Sequence, residues 1–257
     1  MTGPFPLYLA LAAYAGAAVI AGLCRGCRPA RELSYLSLLA SVFGLALQLG
    51  FITFRTIATG FLPFASRFES MAIFAFSVQA AGFIVYLATR QNSVKLGTDA
   101  ASAILLVGAL MPVGFHGGGG LNPILNSPWF AFHILVSFGG YSCFTVGLVW
   151  SVARLRDRLL DSSPSVLRRL AVAGLLLLGA GIATGAMWAD SSWGTYWAWD
   201  PKESWALLTW ALAMAGLHLA GGRARRWPAV LGFGLVFATM MFTFIGINLL
   251  NWGLHRY

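Results

Sequence analysis

Residues 227–254 read WPAVLGFGLVFATMMFTFIGINLLNWGL and contain no Asp, Glu, Lys or Arg. A helix needs about 20 mainly apolar residues to cross a bilayer, so this stretch is long enough to span a membrane. The run at 100–153 is also free of charge, but it is too long for one helix and is interrupted by Gly, Asn and Pro residues between Pro112 and Pro128. Further charge-free runs of spanning length lie at 1–24, 33–54, 70–89, 170–189 and 204–222.

These runs predict an all-α polytopic membrane protein with about eight transmembrane helices. Hydrophobic residues make up 58% of the chain and charged residues only 10%, whereas about a quarter of the residues of a soluble domain are charged. We expect one transmembrane helical domain over 1–257. The predicted spans are 7–24, 34–54, 70–89, 100–115, 130–152, 170–188, 205–222 and 228–250.

The net charge of +9 reflects membrane topology rather than nucleic-acid binding. Of the 17 Lys and Arg residues, 13 lie in alternate loops, between spans one and two, three and four, five and six, and seven and eight. The positive-inside rule puts these loops in the cytoplasm and both termini outside. The pattern predicts an integral inner-membrane protein, and a first span that is a retained helix rather than a cleaved signal.

The segment at 189–205 is unusually aromatic and lies on the predicted outer, periplasmic face. Residues 193–205 read WGTYWAWDPKESW. Rings clustered at a membrane surface offer a flat apolar platform for a planar amphiphile such as haem. An interfacial aromatic belt is the alternative, although a belt scatters its rings among helix ends. The candidate binding residues here are Trp193, Tyr196, Trp197, Trp199, Asp200, Lys202 and Trp205.

Asp200 has two roles open to it. It precedes Pro201 and lies three residues before Glu203, a pattern typical of a helix N-cap with a capping box. It could instead orient a ligand or Lys202. Lys202, with Arg67 and Arg55, is also a candidate partner for the haem propionates.

His133 and His255 lie at the predicted outer surface, at the start of span five and after span eight. Two neutral imidazoles beside an aromatic platform can supply both axial ligands of a haem iron. Helix packing by His133 and a surface position for His255 are equally open.

His218 lies near the cytoplasmic end of span seven, too far along its helix from Trp205 to reach the outer face. A haem iron bound there would need its second histidine from another chain, and a helix-packing role is the alternative. His116, in a glycine-rich loop, is expected to face solvent.

Three cysteines are too few for a disulfide framework, and Cys24 and Cys27 lie at the cytoplasmic end of span one. Arg28 follows Cys27 where a c-type haem attachment site has His. A zinc or redox role for this pair remains open.

Residues 193–205 resemble the tryptophan-rich WWD signature of the CcsA/ResC family, the membrane component of the system II cytochrome c synthase. They match its pattern W-G-x-Y-W-x-W-D-P-K-E-x-W throughout. Ser127-Pro-Trp129 followed by His133, and GINLL at 246–250 followed by Gly253-Leu-His255, resemble the two outer ligand motifs of the family. Glu69-Ser70 resembles its Tyr-Glu-Ser, with Phe68 in place of the tyrosine.

The resemblance implies that haem b enters from the cytoplasmic side past His218 and docks against residues 193–205. His133 and His255 would then ligate the iron while the thiols of an apocytochrome c CxxCH motif add to the vinyl groups. It also implies a CcsB/ResB partner that supplies the second transmembrane histidine, and haem lyase activity only in complex with that partner. No residue of this chain is predicted to be a catalytic acid or base.

Three alternatives remain. The CcmC type delivers haem to a chaperone, but its signature lacks Pro-Lys-Glu after Trp-Asp, and the HemX type carries a similar signature. A small-molecule transporter with an aromatic gate is the alternative from a different class. Against it stand the absence of paired broken helices and the shortage of intramembrane charge.

Overall fold

A computed structural model of the chain describes residues 3–23, 31–111, 125–156, 164–219, 226–250 and 252–253. Within these ranges the chain forms helices joined by turns and loops, and no strand. The all-α prediction is therefore confirmed. The helices are α1 (Phe5–Leu23), α2 (Arg31–Thr59), α3 (Arg67–Thr89), α4 (Asn92–Leu110), α5 (Pro128–Arg156), α6 (Pro164–Trp193), α7 (Pro201–Leu219) and α8 (Arg226–Met241), followed by a π-helical turn (Phe242–Gly246) and α9 (Ile247–Leu249).

Seven stretches of the described chain are long and apolar enough to cross a membrane. They correspond to α1 to α6 and to α8 with its extension to Leu249. The helix α7 occupies the place of the predicted seventh span, but it contains Lys202, Glu203 and His218 and is not one of these seven stretches. The protein is thus an integral membrane protein, while the crossing by α7 and the orientation of the termini stay predictions.

The chain divides into two compact units, residues 1–120 and 121–257. In the first unit α1 packs against α2 and α4, and α3 packs against α4 and α2. In the second unit α5 packs against α6 and α8, and α7 packs against α6 and α8. The expectation of one domain over 1–257 stays a prediction.

The fourth helix begins at Asn92, not near residue 100 as the sequence predicts. Lys95, expected in a cytoplasmic loop, is a buried helix residue, 4% exposed, and its ammonium group lies 2.8 Å from the buried Asp99 carboxylate. Gln79 donates to the other Asp99 oxygen at 2.6 Å, and Lys95 donates to Ser37 Oγ at 2.8 Å. The sequence analysis placed both charges outside the spans, whereas the structure places them in a helix long and apolar enough to cross a membrane. Their pairing makes burial of the two charges tolerable.

The other ion pair among the described residues joins α2 to α3 in the same unit. Arg55 pairs with Glu69, and the Glu69 carboxylate also accepts from the backbone N–H of Ser66, the N-cap of α3. Ser66 Oγ accepts in return from the Glu69 N–H. The Glu69-Ser70 dipeptide noted in the sequence thus caps α3 and holds Arg55.

In the second unit α5 and α6 approach closely along a line of glycines. A Cβ atom added at Gly140 would lie 2.9 Å from the Leu178 backbone nitrogen, and one at Gly174 would lie 2.5 Å from the Phe144 ring. Small residues let transmembrane helices approach backbone to backbone. This close approach brings the α5 histidine, His133, against the backbone of α6.

Candidate functional site

His133 lies in the second turn of α5 and points at α6. Its Nδ1 atom is 2.7 Å from the Gly181 carbonyl oxygen, which also accepts from Thr184 Oγ1 at 3.2 Å. A carbonyl oxygen only accepts, so Nδ1 carries a hydrogen, and in the neutral imidazole the lone pair is then on Nε2. Nε2 with a lone pair is the form of histidine that ligates a metal.

Trp188 of α6 is a site residue that the sequence analysis missed. It is 1% exposed, and its ring stacks on His133 with an interplanar angle of 15° and 6.4 Å between ring centroids. The same indole contacts Phe130 at 4.9 Å and Trp193 at 5.0 Å. Its spacing could have revealed it, since Trp188 lies on the same helical face as Gly181 and Gly185. It was missed because it precedes the aromatic segment and was assigned to predicted span six.

The connection between α6 and α7 is shorter than the sequence predicts. Trp193 is the last residue of α6 and Trp205 lies in α7, so only residues 194–200 form the loop. Of the four tryptophans in the aromatic segment, only Trp197 and Trp199 lie in this loop, because α6 continues beyond residue 188, where the sixth span was predicted to end. Trp197 and Trp199 meet edge to face within the loop, 5.7 Å apart.

Trp199 and Tyr196 form the exposed part of this loop. Trp199 is 72% exposed and Tyr196 is 61% exposed. Trp199 also has φ = 55°, a left-handed conformation that is rare for a bulky residue and costs about 1–3 kcal/mol. The loop therefore holds an indole outward in a backbone conformation that its side chain disfavours.

Asp200 is buried and caps α7. Its Oδ2 accepts from the Lys202 N–H at 3.1 Å, and its backbone carbonyl accepts from the Ser204 N–H at 2.9 Å. Glu203 Oε2 accepts from the N–H groups of Asp200 at 3.1 Å and Ala198 at 2.9 Å. The capping role predicted for Asp200 is therefore present in the structure, and Glu203 extends it by tying down the end of the loop.

Lys202 lies just before the predicted crossing at 205–222. Burial lowers the pKa of Lys202 to about 8, and the Asp200 carboxylate opposes this shift. The side chain therefore carries a positive charge at neutral pH and loses it in mildly alkaline solution.

The C-terminal segment returns to the start of α7. Gly253 has φ = 97°, and a Cβ atom there would lie 2.9 Å from Pro201 Cδ and closer still to an Asp200 carboxylate oxygen. Only glycine suits this conformation and this approach. His255 itself lies outside the described residues, as do His116, Cys24 and Cys27, but the chain passes Asp200 two residues before His255.

The π-helical turn also belongs to this region. Its first residue, Phe242, packs on Trp205 with ring centroids 4.4 Å apart, and Phe244 meets Phe138 of α5 edge to face at 5.3 Å. Such turns are rare and concentrate at functional sites. Here the turn brings aromatic side chains of the last helix against α5 and α7.

His218 stands apart from the outer group. It is exposed near the end of α7, and its Nδ1 lies 2.9 Å from the Met214 carbonyl oxygen of the preceding turn. The lone pair is again on Nε2, on a side chain that faces away from its own unit. Arg55 and Arg67, the other candidates for propionates, belong to the first unit.

Within the described ranges no three His, Cys, Asp or Glu side chains converge on a point that could hold a bare metal ion. Haem differs because its porphyrin supplies four ligands and the protein adds only one or two axial donors. A histidine that donates from Nδ1 and is bordered by an indole ring fits that requirement.

Comparison with known proteins identifies similar sequences. Residues 30–255 match the family described as cytochrome c assembly protein. The cytochrome c biogenesis protein CcsA of Gloeothece citriformis is 29% identical over an alignment that covers 79% of this chain and 81% of the relative. The CcsA protein of Chlamydomonas reinhardtii is 30% identical over 219 residues, covering 77% of this chain and 62% of the relative.

Among solved structures, the cytochrome c haem lyase CcmF has the same fold, with a TM-score of 0.70 and 19% sequence identity. The match covers 94% of this chain and 46% of the longer CcmF chain.

Proposed function

Because the chain belongs to the cytochrome c assembly protein family and acts in cytochrome c maturation, we propose that it receives haem b and presents it on the outer face. The binding site comprises residues 193–205 with His133 and His255 as axial ligands. The acceptor is the CxxCH motif of an apocytochrome c. The substrate is thus a haem and the product a haem joined through thioether bonds.

The state of His133 carries the proposal. The Gly181 carbonyl requires Nδ1 to bear the hydrogen, so the imidazole is in the form that ligates iron through Nε2. Trp188, which stacks on His133, contacts Trp193, the first residue of the WWD signature.

The position of Gly253 supports His255 as the second ligand. The chain at Gly253 lies against Asp200 and Pro201, within the signature itself. The two residues that follow span at most about 7 Å. We therefore expect His255 to lie within reach of the aromatic loop.

The contribution of the protein is positioning. Haem supplies the vinyl carbons to which the cysteine thiols add. The protein holds the macrocycle through axial histidines, covers it with the rings of Tyr196, Trp197 and Trp199, and offers Lys202 to a propionate. Fixing two reactants in register lowers the barrier without any acid or base from the chain.

His218 fits a deeper site completed by another chain. Its side chain is exposed, and its neighbours on the same face of α7, Leu208, Ala211 and Ala215, are exposed as well. We propose that a membrane partner of the CcsB/ResB type packs on this face and contributes a second histidine, and that haem lyase activity needs this complex. The inner membrane is the proposed location, with the active face in the periplasm.

An absorption spectrum of the purified protein, oxidised and reduced, tests the proposal. We expect a bis-histidine haem signal that is lost or becomes high-spin in His133→Ala and in His255→Ala. His116→Ala is the matched control, since the sequence predicts that His116 faces solvent and its loss should leave the spectrum unchanged. Wild-type spectra in both ligand variants would refute the site.

Transport of a small molecule is the second candidate, and one observation favours it. The buried Lys95–Asp99 pair supplies the intramembrane charge that a transporter needs. A protein that carries no haem when expressed with its partner would support transport over haem handling.

A further inference from the structure

Three features on one face of α6 lie next to the His133 ring. They are the carbonyl group of Gly181, the missing side chain of Gly185 and the indole of Trp188. Their spacings of four and three residues put them on one side of the helix. None of the three belongs to the 193–205 segment.

The absence of a side chain at Gly185 constrains the position of the His133 ring, as the hydrogen bond to the Gly181 carbonyl does. A Cβ atom at this position would lie 2.7 Å from His133 Nδ1 and 2.9 Å from Cε1, well inside van der Waals contact. The imidazole therefore occupies the volume that any larger residue would fill. Trp188 bounds the ring on one side and is itself held by Phe130 and Trp193, so it cannot move away cheaply.

We propose that Gly181, Gly185 and Trp188 form a socket that fixes the tautomer and orientation of His133 before haem arrives, so that iron is bound through Nε2. This inference rests on the proposed function and assigns positioning roles to three residues. The hydrogen bond from Nδ1–H also increases the electron-donating power of Nε2, as carbonyl acceptors do for metal-bound histidines. Preorganisation removes the ordering cost that a mobile histidine would pay on binding haem.

The first experiment removes the His133 side chain and supplies imidazole from solution in its place. His133→Gly leaves an imidazole-sized gap, and added imidazole should restore the low-spin haem spectrum. 1-Methylimidazole has no N–H when its other nitrogen binds iron, so it cannot donate to the Gly181 carbonyl. We expect it to bind roughly 2- to 10-fold more weakly than imidazole, the range of one net hydrogen bond. Equal affinity of the two molecules would overturn the socket.

The second experiment fills the socket. Gly185→Ala should displace the His133 ring, lower haem affinity by at least about tenfold, and prevent rescue by imidazole in the His133→Gly background. Gly234→Ala is the matched control, because its Cβ would lie 4.0 Å from Leu148, in ordinary contact.

Trp188→Leu tests the remaining member of the socket. This variant should keep haem, but carbon monoxide should replace His133 on the reduced iron faster than in the wild type. An unchanged replacement rate would exclude Trp188 from the socket.

The third measurement does not need haem. Nitrogen NMR of the histidine-labelled haem-free protein should show His133 as the neutral Nδ1–H tautomer, assigned by its loss in His133→Gln. An Nε2–H tautomer would overturn the inference. These outcomes also separate the two proposals: a protein that never binds haem refutes the function, whereas haem binding through an unconstrained His133 refutes only the socket.

Discussion

The backbone of Gly253 lies directly against the side chain of Asp200, so that no Cβ fits between them. This contact joins the C-terminal segment to the start of α7. It shows why a glycine with φ = 97° precedes the predicted ligand His255 by two residues. Asp200 thus both caps α7 and contacts the backbone of Gly253.

Replacing Gly253 by Ala should therefore release this segment. The added methyl meets Asp200 and Pro201, and the left-handed backbone costs an alanine about 1–2 kcal/mol more than a glycine. We expect the bis-histidine spectrum to become that of a single-histidine haem. Gly216→Ala, where the Cβ meets nothing within 4 Å, is the control. A normal spectrum in Gly253→Ala would show that His255 does not depend on this contact.

Substitutions of Asp200 provide a second test, because helix capping and ligand orientation require different properties of its side chain. Asp200→Asn keeps the oxygen that accepts from Lys202 N–H, so it should preserve both stability and the haem spectrum. Asp200→Ala should lower the free energy of unfolding by about 1 kcal/mol. Both are measured by thermal unfolding and absorption. Loss of haem from a fully stable Asp200→Asn protein would instead assign the carboxylate a direct role at the ligand.

The lowered pKa of Lys202 predicts a pH dependence. The protonated side chain attracts a propionate below about pH 8 and loses its charge above it, so haem affinity should fall between pH 7 and pH 9. Lys202→Arg stays charged across this range and should remove the fall. Lys202→Met should bind haem more weakly at pH 7 and show little change with pH. Equilibrium titration with haem at several pH values measures this, and an identical fall in Lys202→Met would exclude the lysine.

The buried pair of Lys95 and Asp99 predicts strong non-additivity. Lys95→Met or Asp99→Leu alone leaves a buried charge without its opposite charge and should cost about 3 kcal/mol of unfolding free energy. The double variant removes both charges and should be closer to the wild type than either single variant. Denaturant unfolding in detergent gives the coupling energy. Additive losses would show that the two charges are not coupled.

Most of the helical architecture follows from composition, since the apolar runs and the positions of Gly, Pro and Arg delimit the helices. The largest error lies at α4. Lys95 and Asp99 make the segment from Asn92 look like a solvent loop, because a sequence does not show that two charges four residues apart will neutralise each other inside a helix bundle. A similar error shortened α6, where Asp190 and Ser191 suggested a boundary that the helix passes.

The candidate site was predictable in its residue types and only partly in its members. The density of tryptophan and the match to a known signature identify residues 193–205. Trp188 and Gly185 escaped notice because nothing local distinguishes a tryptophan or a glycine in an apolar helix from a packing residue. Their role depends on His133, which is separated from them by about fifty positions along the chain.

The sequence by itself determined that this is a helical membrane protein with an aromatic segment between two helices and histidines near the predicted outer face, because hydrophobic length and residue chemistry are local properties. Only the tertiary structure decided which atoms meet. The carbonyl oxygen of Gly181 accepts a hydrogen bond from Nδ1 of His133, and the backbone of Gly253 contacts Asp200. Both contacts form because glycines let the backbones of separate segments approach closely. Such contacts depend on the register between helices, which no single segment encodes.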